Sequence, residues 1–177
     1  MDALWSLASY GPESYDRKNP RSGDAVDGSV TMHVGAPPEQ LWALISEVTN
    51  MGRWSPETDR AEWLEGAGGP EVGARFRGHN QRGFLKYWTK CTVVTSEPGR
   101  EFAFVVGTAE KPLTRWTFHL EPAGVGTDVT ESWRAMSDNL LTKVFVPQKR
   151  RRNLDTGMRK TLERLKSVAE SSGTVAP

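Results

Sequence analysis

The feature that most constrains the fold of this chain is one long amphipathic helix predicted near the C-terminus. Between residues 149 and 168, apolar side chains recur at intervals of four, four and three residues, at Leu154, Met158, Leu162 and Leu165. This spacing is typical of a single apolar stripe on an α-helix, and the opposite face carries charged side chains. Since much of the preceding chain alternates as strands do, the sequence predicts a sheet wrapped around this one helix.

A glycine lies within the predicted helix. Gly157 costs about 1 kcal/mol relative to alanine in a helix interior. It therefore either permits the close approach of a strand or a ligand, or it is simply tolerated.

The remaining elements are predicted in a simple order. Alternation from Val30 to Val34 indicates a first strand, and Pro37-Pro38 ends it and begins a helix. A second short helical turn or a tight loop follows at 51–56. About six further alternating segments, separated by turn residues, predict an antiparallel meander. The predicted fold class is α+β: a seven-stranded antiparallel sheet curled around the long C-terminal helix, with two short helices after the first strand.

We expect three segments along the chain. Residues 1–25 are rich in turn dipeptides such as Gly11-Pro12 and Asn19-Pro20, which indicates a partly ordered N-terminal arm. Residues 26–170 form one ligand-binding domain, because 177 residues suffice for a single domain with a real core. Residues 171–177 are predicted to be a disordered tail.

Composition and charge exclude several classes of function. The formal net charge of +1 lacks the basic excess of a nucleic-acid-binding domain. The single cysteine, Cys91, allows no intramolecular disulfide and fits a reducing compartment. No segment approaches the roughly 18 apolar residues of a membrane span, so we expect a cytoplasmic protein without integral membrane association, either a monomer or a homodimer.

Five short stretches, taken in this order, carry a resemblance to a known family. They are Val34–Trp42, Met51–Pro56, Val72–Gly78, Trp116–Pro122 and Gly126–Thr130. With them the chain resembles the START-like superfamily of helix-grip proteins (SRPBCC), in particular its bacterial polyketide cyclase/dehydrase branch. The resemblance implies a deep, mostly apolar cavity between the sheet and the last helix. Members of the family bind lipids, sterols, plant hormones or polyketides, and some catalyse cyclisation or dehydration. The family has no single catalytic motif, so the resemblance implies a pocket and not a reaction.

The most informative polar residue is Glu131, which lies between Val129 and Trp133 on the inward side of the last predicted strand. A carboxylate on an apolar face is desolvated, so its pKa should rise unless a cation pairs with it. A raised pKa would suit a general acid or base. The alternative is an ion pair with an arginine of the last helix, for which Arg151 is placed best.

Other polar residues share the inward side of their strands. Tyr87 and Asn80 could hold a ligand carbonyl, and Tyr87 could assist catalysis, or both could form hydrogen bonds within the protein. Trp54 is placed near the expected mouth, as a lid residue or as packing. The candidate ligand-binding set is completed by Arg151, Met158 and the rings that suit a flat, multi-ring ligand or a core, namely Trp42, Phe76, Phe104, Trp116, Phe118 and Trp133.

The histidines give no sign of a metal or catalytic centre. His33, His79 and His119 all fall on the polar side of their strands, where a general base could not reach a ligand in the cavity. Three scattered histidines and one cysteine have no zinc spacing, so we expect neither a metal nor another cofactor. The glycine-rich segment 66–73 lacks the Lys-Ser/Thr of a phosphate loop and is read as a hairpin connection or a flexible flap.

These observations lead to two principal hypotheses and a weaker third. The first is an enzyme, a cofactor-independent cyclase or dehydratase that acts on a polyketide or another hydrophobic molecule. The second is a carrier or sensor that binds such a ligand without changing it. The third is association with an anionic surface through the basic run Lys149-Arg150-Arg151-Arg152, whose simpler interpretation is a solvated helix face.

Overall fold

The structure is a computed structural model that describes residues 27–136 and 148–172, with side chains described from 27 to 136 and from 154 to 171. The predicted arm at 1–25, the start of the last helix at Pro147 and the tail beyond residue 172 lie outside the described residues. The elements, in chain order, are β1 (Gly28–Val34), α1 (Pro38–Ser46), a 3₁₀ turn (Val48–Asn50), α2 (Met51–Trp54), β2 (Thr58–Trp63), β3 (Arg75–Arg82), β4 (Leu85–Glu97), β5 (Glu101–Gly107), β6 (Pro112–Pro122), β7 (Thr127–Ala135) and α3 (Gln148–Ser172).

The seven strands form one sheet in the order β1-β7-β6-β5-β4-β3-β2, and every neighbouring pair is antiparallel. Strands β2 to β7 are a meander, whereas α1 and α2 separate β1 from β2 along the chain and β1 pairs with β7. The ladder is irregular at Thr58/Arg60, at Val93/Thr95 and at Val106/Gly107. Such irregularities increase the local twist, which helps a seven-stranded sheet to curl. The predicted fold class is therefore confirmed.

Helix α3 buries the stripe that its spacing predicts. Leu154, Met158, Leu162 and Leu165 are all buried, and Ala169 continues the stripe by one turn. The described part of the helix extends to Ser172 and so includes Ser171 and Ser172.

Polar contacts hold α3 across the sheet. Glu170 Oε1 accepts a hydrogen bond from the backbone N–H of Gly35 at 2.9 Å, and Lys166 Nζ donates to the carbonyl oxygen of His33 at 3.1 Å. Near the middle of the helix, Arg164 Nη1 donates to the carbonyl oxygen of Ser55 at 3.0 Å. The helix is thus fixed both to the end of β1 and to the loop that follows α2. No helix in the described ranges is long and apolar enough to cross a membrane.

We predict that Gly52→Ala will destabilise the fold by about 1–3 kcal/mol, because a Cβ at this position of α2 would collide with the backbone carbonyl oxygen of Asp59 in β2. Urea-induced unfolding measures the difference. Gly68→Ala is the matched control, since a Cβ there meets nothing within 4 Å and should change stability by less than about 0.5 kcal/mol. Equal stability of the two variants would contradict the close packing of α2 on β2.

Candidate functional site

A cavity of about 400 Å³ lies between the concave face of the sheet and α3. Its walls come from β3 to β7, its floor from the first half of α3, and α2 with the following loop covers one side. Most of the lining is apolar. Ten of the twelve site residues predicted from sequence line it: Trp54, Phe76, Asn80, Tyr87, Phe104, Trp116, Phe118, Glu131, Trp133 and Met158.

The aromatic walls follow from strand alternation and register. On β7, Glu131 and Trp133 point to the same face, and the register places Phe118 opposite Glu131 and Trp116 opposite Trp133 on β6. Phe76 on β3 extends the same wall further along the sheet. The rings therefore line the cavity because every second residue of adjacent strands faces α3.

Glu131 is the acidic side chain buried in this wall, and the residue is only 4% exposed. Within the described part of the chain, its Oε2 atom has no hydrogen-bond partner. Burial raises the pKa of this carboxyl well above its usual 4.5. The raised pKa favours the neutral form of the side chain, which has one O–H donor and one acceptor oxygen. The alternative of an ion pair concerns Arg151, whose side chain lies outside the described residues.

Trp54 supplies a second polar atom without a partner. Its ring is buried and meets Phe118 edge-on, with centroids 5.6 Å apart and planes at 75°. Among the described residues nothing accepts a hydrogen bond from its indole Nε1–H. Since Phe118 also lies opposite Glu131, this indole N–H and a carboxyl of raised pKa are found around the same ring.

The two other polar candidates are engaged by the protein. The Asn80 amide nitrogen donates to Gly78 O at 3.3 Å and to Thr89 Oγ1 at 3.2 Å, while its oxygen accepts from Thr58 Oγ1 at 2.8 Å. The Tyr87 hydroxyl donates to a carboxylate oxygen of Glu57. Both residues therefore form hydrogen bonds within the protein, which is one of the two interpretations of the sequence. For Tyr87 to take part in catalysis, its hydroxyl would first have to release Glu57.

Trp42 does not line the cavity, and its place in the candidate site is corrected. It lies on α1, where its indole Nε1 donates to the carbonyl oxygen of Glu101 at 3.1 Å. The cause is helical geometry, because each residue turns about 100° around the axis and the core side of α1 is taken by Leu41 and Ile45.

Among the lining residues that were not candidate site residues, Cys91 and Gly157 are informative. Cys91 lines it from β4, and burial raises the pKa of its thiol to about 12, so this sulfur is not a nucleophile near neutral pH. Gly157 lines it from α3, and a Cβ built there would meet nothing within 4 Å. No described strand therefore approaches Gly157 closely, and the position opens onto the cavity. Strand alternation places Cys91 on the inward face of β4 and could have identified it from the sequence. The open space at Gly157 depends on how the whole chain folds.

The three histidines lie on the outer face, as predicted from their parity. His33 Nδ1 is 2.9 Å from Asp128 Oδ1, His79 Nε2 is 3.1 Å from Glu62 Oε1, and His119 is 3.6 Å from Glu101. In residues 27–136 and the described side chains of α3, no group of three or more His, Cys, Asp or Glu residues could hold a metal ion.

The sheet, the enclosing helix and the apolar cavity together define a protein of the helix-grip class. The family model described as polyketide cyclase/dehydrase and lipid transport matches residues 25–170, so the chain belongs to that family. This is the START-like family that the sequence resembles. No curated protein sequence matches the chain significantly.

Solved structures agree with this assignment. The Polyketide_cyc-like protein Cgl2372 from Corynebacterium glutamicum is 27% identical and has a TM-score of 0.58, over 88% of this chain and 100% of that one. The protein TTHA0849 from Thermus thermophilus is 13% identical with a TM-score of 0.64, over 82% and 98% of the two chains. The di-domain ARO/CYC StfQ from the steffimycin biosynthetic pathway is 15% identical with a TM-score of 0.65, over 84% of this chain and 51% of that one. The last two similarities concern the fold alone.

We predict that Gly157→Ala will stabilise the protein by up to about 1 kcal/mol, because alanine favours the helix and its methyl group enters open space. The free energy of unfolding in urea measures this change. Thr156→Ala, at the neighbouring exposed position, controls for helix propensity without reaching the cavity. A loss of stability on Gly157→Ala would show that some other part of the chain occupies that space.

We predict that the wild type will lose stability relative to Glu131→Gln as the pH rises above 4.5, the usual pKa of the carboxyl. Above this pH the unfolded chain releases a proton that the folded protein retains, so rising pH favours unfolding by up to about 1.4 kcal/mol per pH unit until the raised folded pKa is passed. Urea unfolding across a pH series measures the slope. Glu121→Gln, at an exposed site on β6, should leave it unchanged, and parallel profiles for wild type and Glu131→Gln would contradict the buried neutral carboxyl.

Proposed function

We propose that the protein binds a hydrophobic small molecule in the cavity and acts on it as a cofactor-independent cyclase or dehydratase, with Glu131 as the acid-base group. The observation that carries the proposal is the buried carboxyl of Glu131 in an apolar cavity wall, whose Oε2 atom has no hydrogen-bond partner among the described residues. Groups with strongly shifted pKa values in a cleft are typical of functional sites. We propose a cytoplasmic monomer or homodimer for this activity.

The cavity supports a ligand of defined character. Its volume of about 400 Å³ is within the range of small-molecule sites, and its ring-lined walls favour a flat, mainly apolar molecule. The indole N–H of Trp54 would donate to one oxygen of the ligand, and the neutral carboxyl of Glu131 would donate to another. A ligand that satisfies both groups removes the cost of two buried unpaired polar atoms, which gives it one preferred orientation.

The chemistry needs only proton transfer. In a dehydration, the neutral Glu131 carboxyl gives its proton to the departing hydroxyl, which leaves as water, and the resulting carboxylate takes a proton from the adjacent carbon. The carboxyl is thereby restored without an external reactant. Positioned acid-base groups typically contribute 10²–10⁴-fold in rate, and the dry cavity keeps the proton between enzyme and ligand.

A non-catalytic carrier is the second candidate, and the state of the other polar groups favours it. Tyr87 donates to Glu57, Asn80 is fully engaged, and the Cys91 thiol has its pKa raised to about 12. If these groups stay engaged, the O–H of Glu131 would only hold the ligand. The family description also names lipid transport.

The experiment begins with native mass spectrometry of the protein purified from the organism that makes it, which identifies a retained small molecule. With that molecule, or its precursor, we predict that Glu131→Gln lowers kcat at least about 100-fold while affinity changes little, because the amide keeps the shape but not the acid. Stopped assays and equilibrium binding measure the two effects, with Glu121→Gln as the control.

Two outcomes decide against the catalytic proposal. Unchanged turnover by Glu131→Gln with retained binding would remove Glu131 from the mechanism. A retained ligand that the wild type never converts, whose affinity falls when Glu131 is replaced, would establish the carrier.

A further inference from the structure

The hairpin between β3 and β4 carries an exposed apolar tip. Arg82 and Leu85 are the last pair of the ladder, and the two-residue turn Gly83-Phe84 joins them. Gly83 has φ of 59°, the positive value that hairpin turns of this length need at their first central position. Phe84 is fully exposed at the end of the turn, and Leu85 is 55% exposed. An aromatic and an aliphatic side chain thus project together from the end of the sheet.

The tip is continued by an exposed tryptophan. Trp88 lies on the outer face of β4, is 59% exposed, and has the Arg77 guanidinium 5.4 Å above its ring. Of the five exposed large hydrophobic side chains in the described part of the chain, three fall within this hairpin, between positions 84 and 88. Scattered surface hydrophobes are ordinary, whereas such a cluster indicates a contact surface.

Basic side chains surround this apolar tip. Arg82, Lys86 and Lys90 are exposed, and within the described ranges none of them forms a salt bridge. The acidic groups nearby are Glu62, which is held by His79 and Arg77, Glu57, which accepts from the Tyr87 hydroxyl, and Asp59 on β2. The hairpin therefore combines apolar side chains at its end with unpaired positive charge just behind them.

We propose that this hairpin docks the protein on an anionic lipid bilayer. Phe84 and Leu85 enter the boundary between headgroups and acyl chains, Trp88 lies at headgroup level, and Arg82 and Lys86 contact lipid phosphates. Partly buried apolar side chains together with basic residues are the two contributions that bind proteins reversibly to anionic membranes.

The shape of the surface favours a bilayer over a protein partner. A stable protein interface buries about 800 Å² on each side and needs a broad complementary patch. The tip of a two-residue turn presents Phe84 and Leu85 at its end and Trp88 further along β4, which is a narrow surface. A bilayer accepts a narrow insertion without shape complementarity.

The position of the hairpin also fits a cavity for hydrophobic molecules. The cavity lining on β4 begins at Tyr87, two residues after Leu85 along the strand. Docking through the tip would bring this end of the cavity to the membrane surface, where apolar small molecules concentrate. The docking itself does not depend on Glu131 or on any reaction.

Vesicle flotation with the full-length protein tests the proposal. We predict binding to vesicles of phosphatidylcholine mixed with phosphatidylglycerol, weaker binding to phosphatidylcholine alone, and a decrease with added salt because exposed charges are screened. The double variant Phe84→Ser/Leu85→Ser should lose about tenfold or more in vesicle affinity. The matched control is Val125→Ser, an exposed apolar residue at the β6–β7 turn on the opposite end of the sheet, which should bind as the wild type does.

A labelling experiment reports the orientation directly. Phe84→Cys and Val125→Cys can each be labelled with an environment-sensitive fluorophore, because the native Cys91 is buried. We expect a blue shift on vesicle addition for the label at 84 and none at 125. Absence of vesicle binding at low salt, equal binding by the double variant, or equal shifts at both sites would overturn the proposal. Self-association lost in the double variant, without vesicle binding, would assign the tip to a contact between copies of the chain and would also overturn it.

Discussion

The packing of α3 onto the curved sheet determines where the interior is solid and where it is hollow. One half of the helix packs directly on the sheet, and the other half lies over the cavity. Leu162 and Leu165 are fully buried and belong to the solid half, where each contributes about 1.5–3 kcal/mol. One to two turns earlier, Gly157 and Met158 border the cavity instead. The tightly packed half therefore stabilises a helix position that leaves the other half open.

The open half contains groups that a protein selected only for stability would avoid. Among the described residues, neither the Oε2 atom of Glu131 nor the indole N–H of Trp54 has a hydrogen-bond partner, and a buried polar atom left in this state costs about 1–3 kcal/mol. A glycine inside α3 adds a further helix penalty. Several departures from local stability around one space are typical of sites that are kept for binding or chemistry. The rigid ladder of β6 and β7 holds the carboxyl in place despite that cost.

Periodicity in the sequence predicted the fold and most of the cavity wall, because strand parity and helix spacing are local rules. The burial of Glu131 followed from its place between two apolar neighbours on β7. The same reasoning failed for Trp42, since the direction of a helical side chain depends on how the helix sits on the sheet. Thr58, which donates to Asn80, lies on β2, and Glu57, which accepts from Tyr87, lies in the loop after α2. No local pattern encodes the positions of these two segments. The open space at Gly157 is likewise a property of the assembled fold.

The pairing of β1 with β7 places positions 30 and 131 side by side, although they are about 100 residues apart in the chain. A growing polypeptide on the ribosome must therefore keep β1 without its neighbour until nearly the whole sheet has been made. Contacts between such distant segments form slowly, because the entropy cost of closing a long loop precedes any stabilisation from the contacts. In the nascent chain the Glu131 carboxyl is exposed to water. Its pKa rises only when β1 has paired with β7 and the side chain is buried.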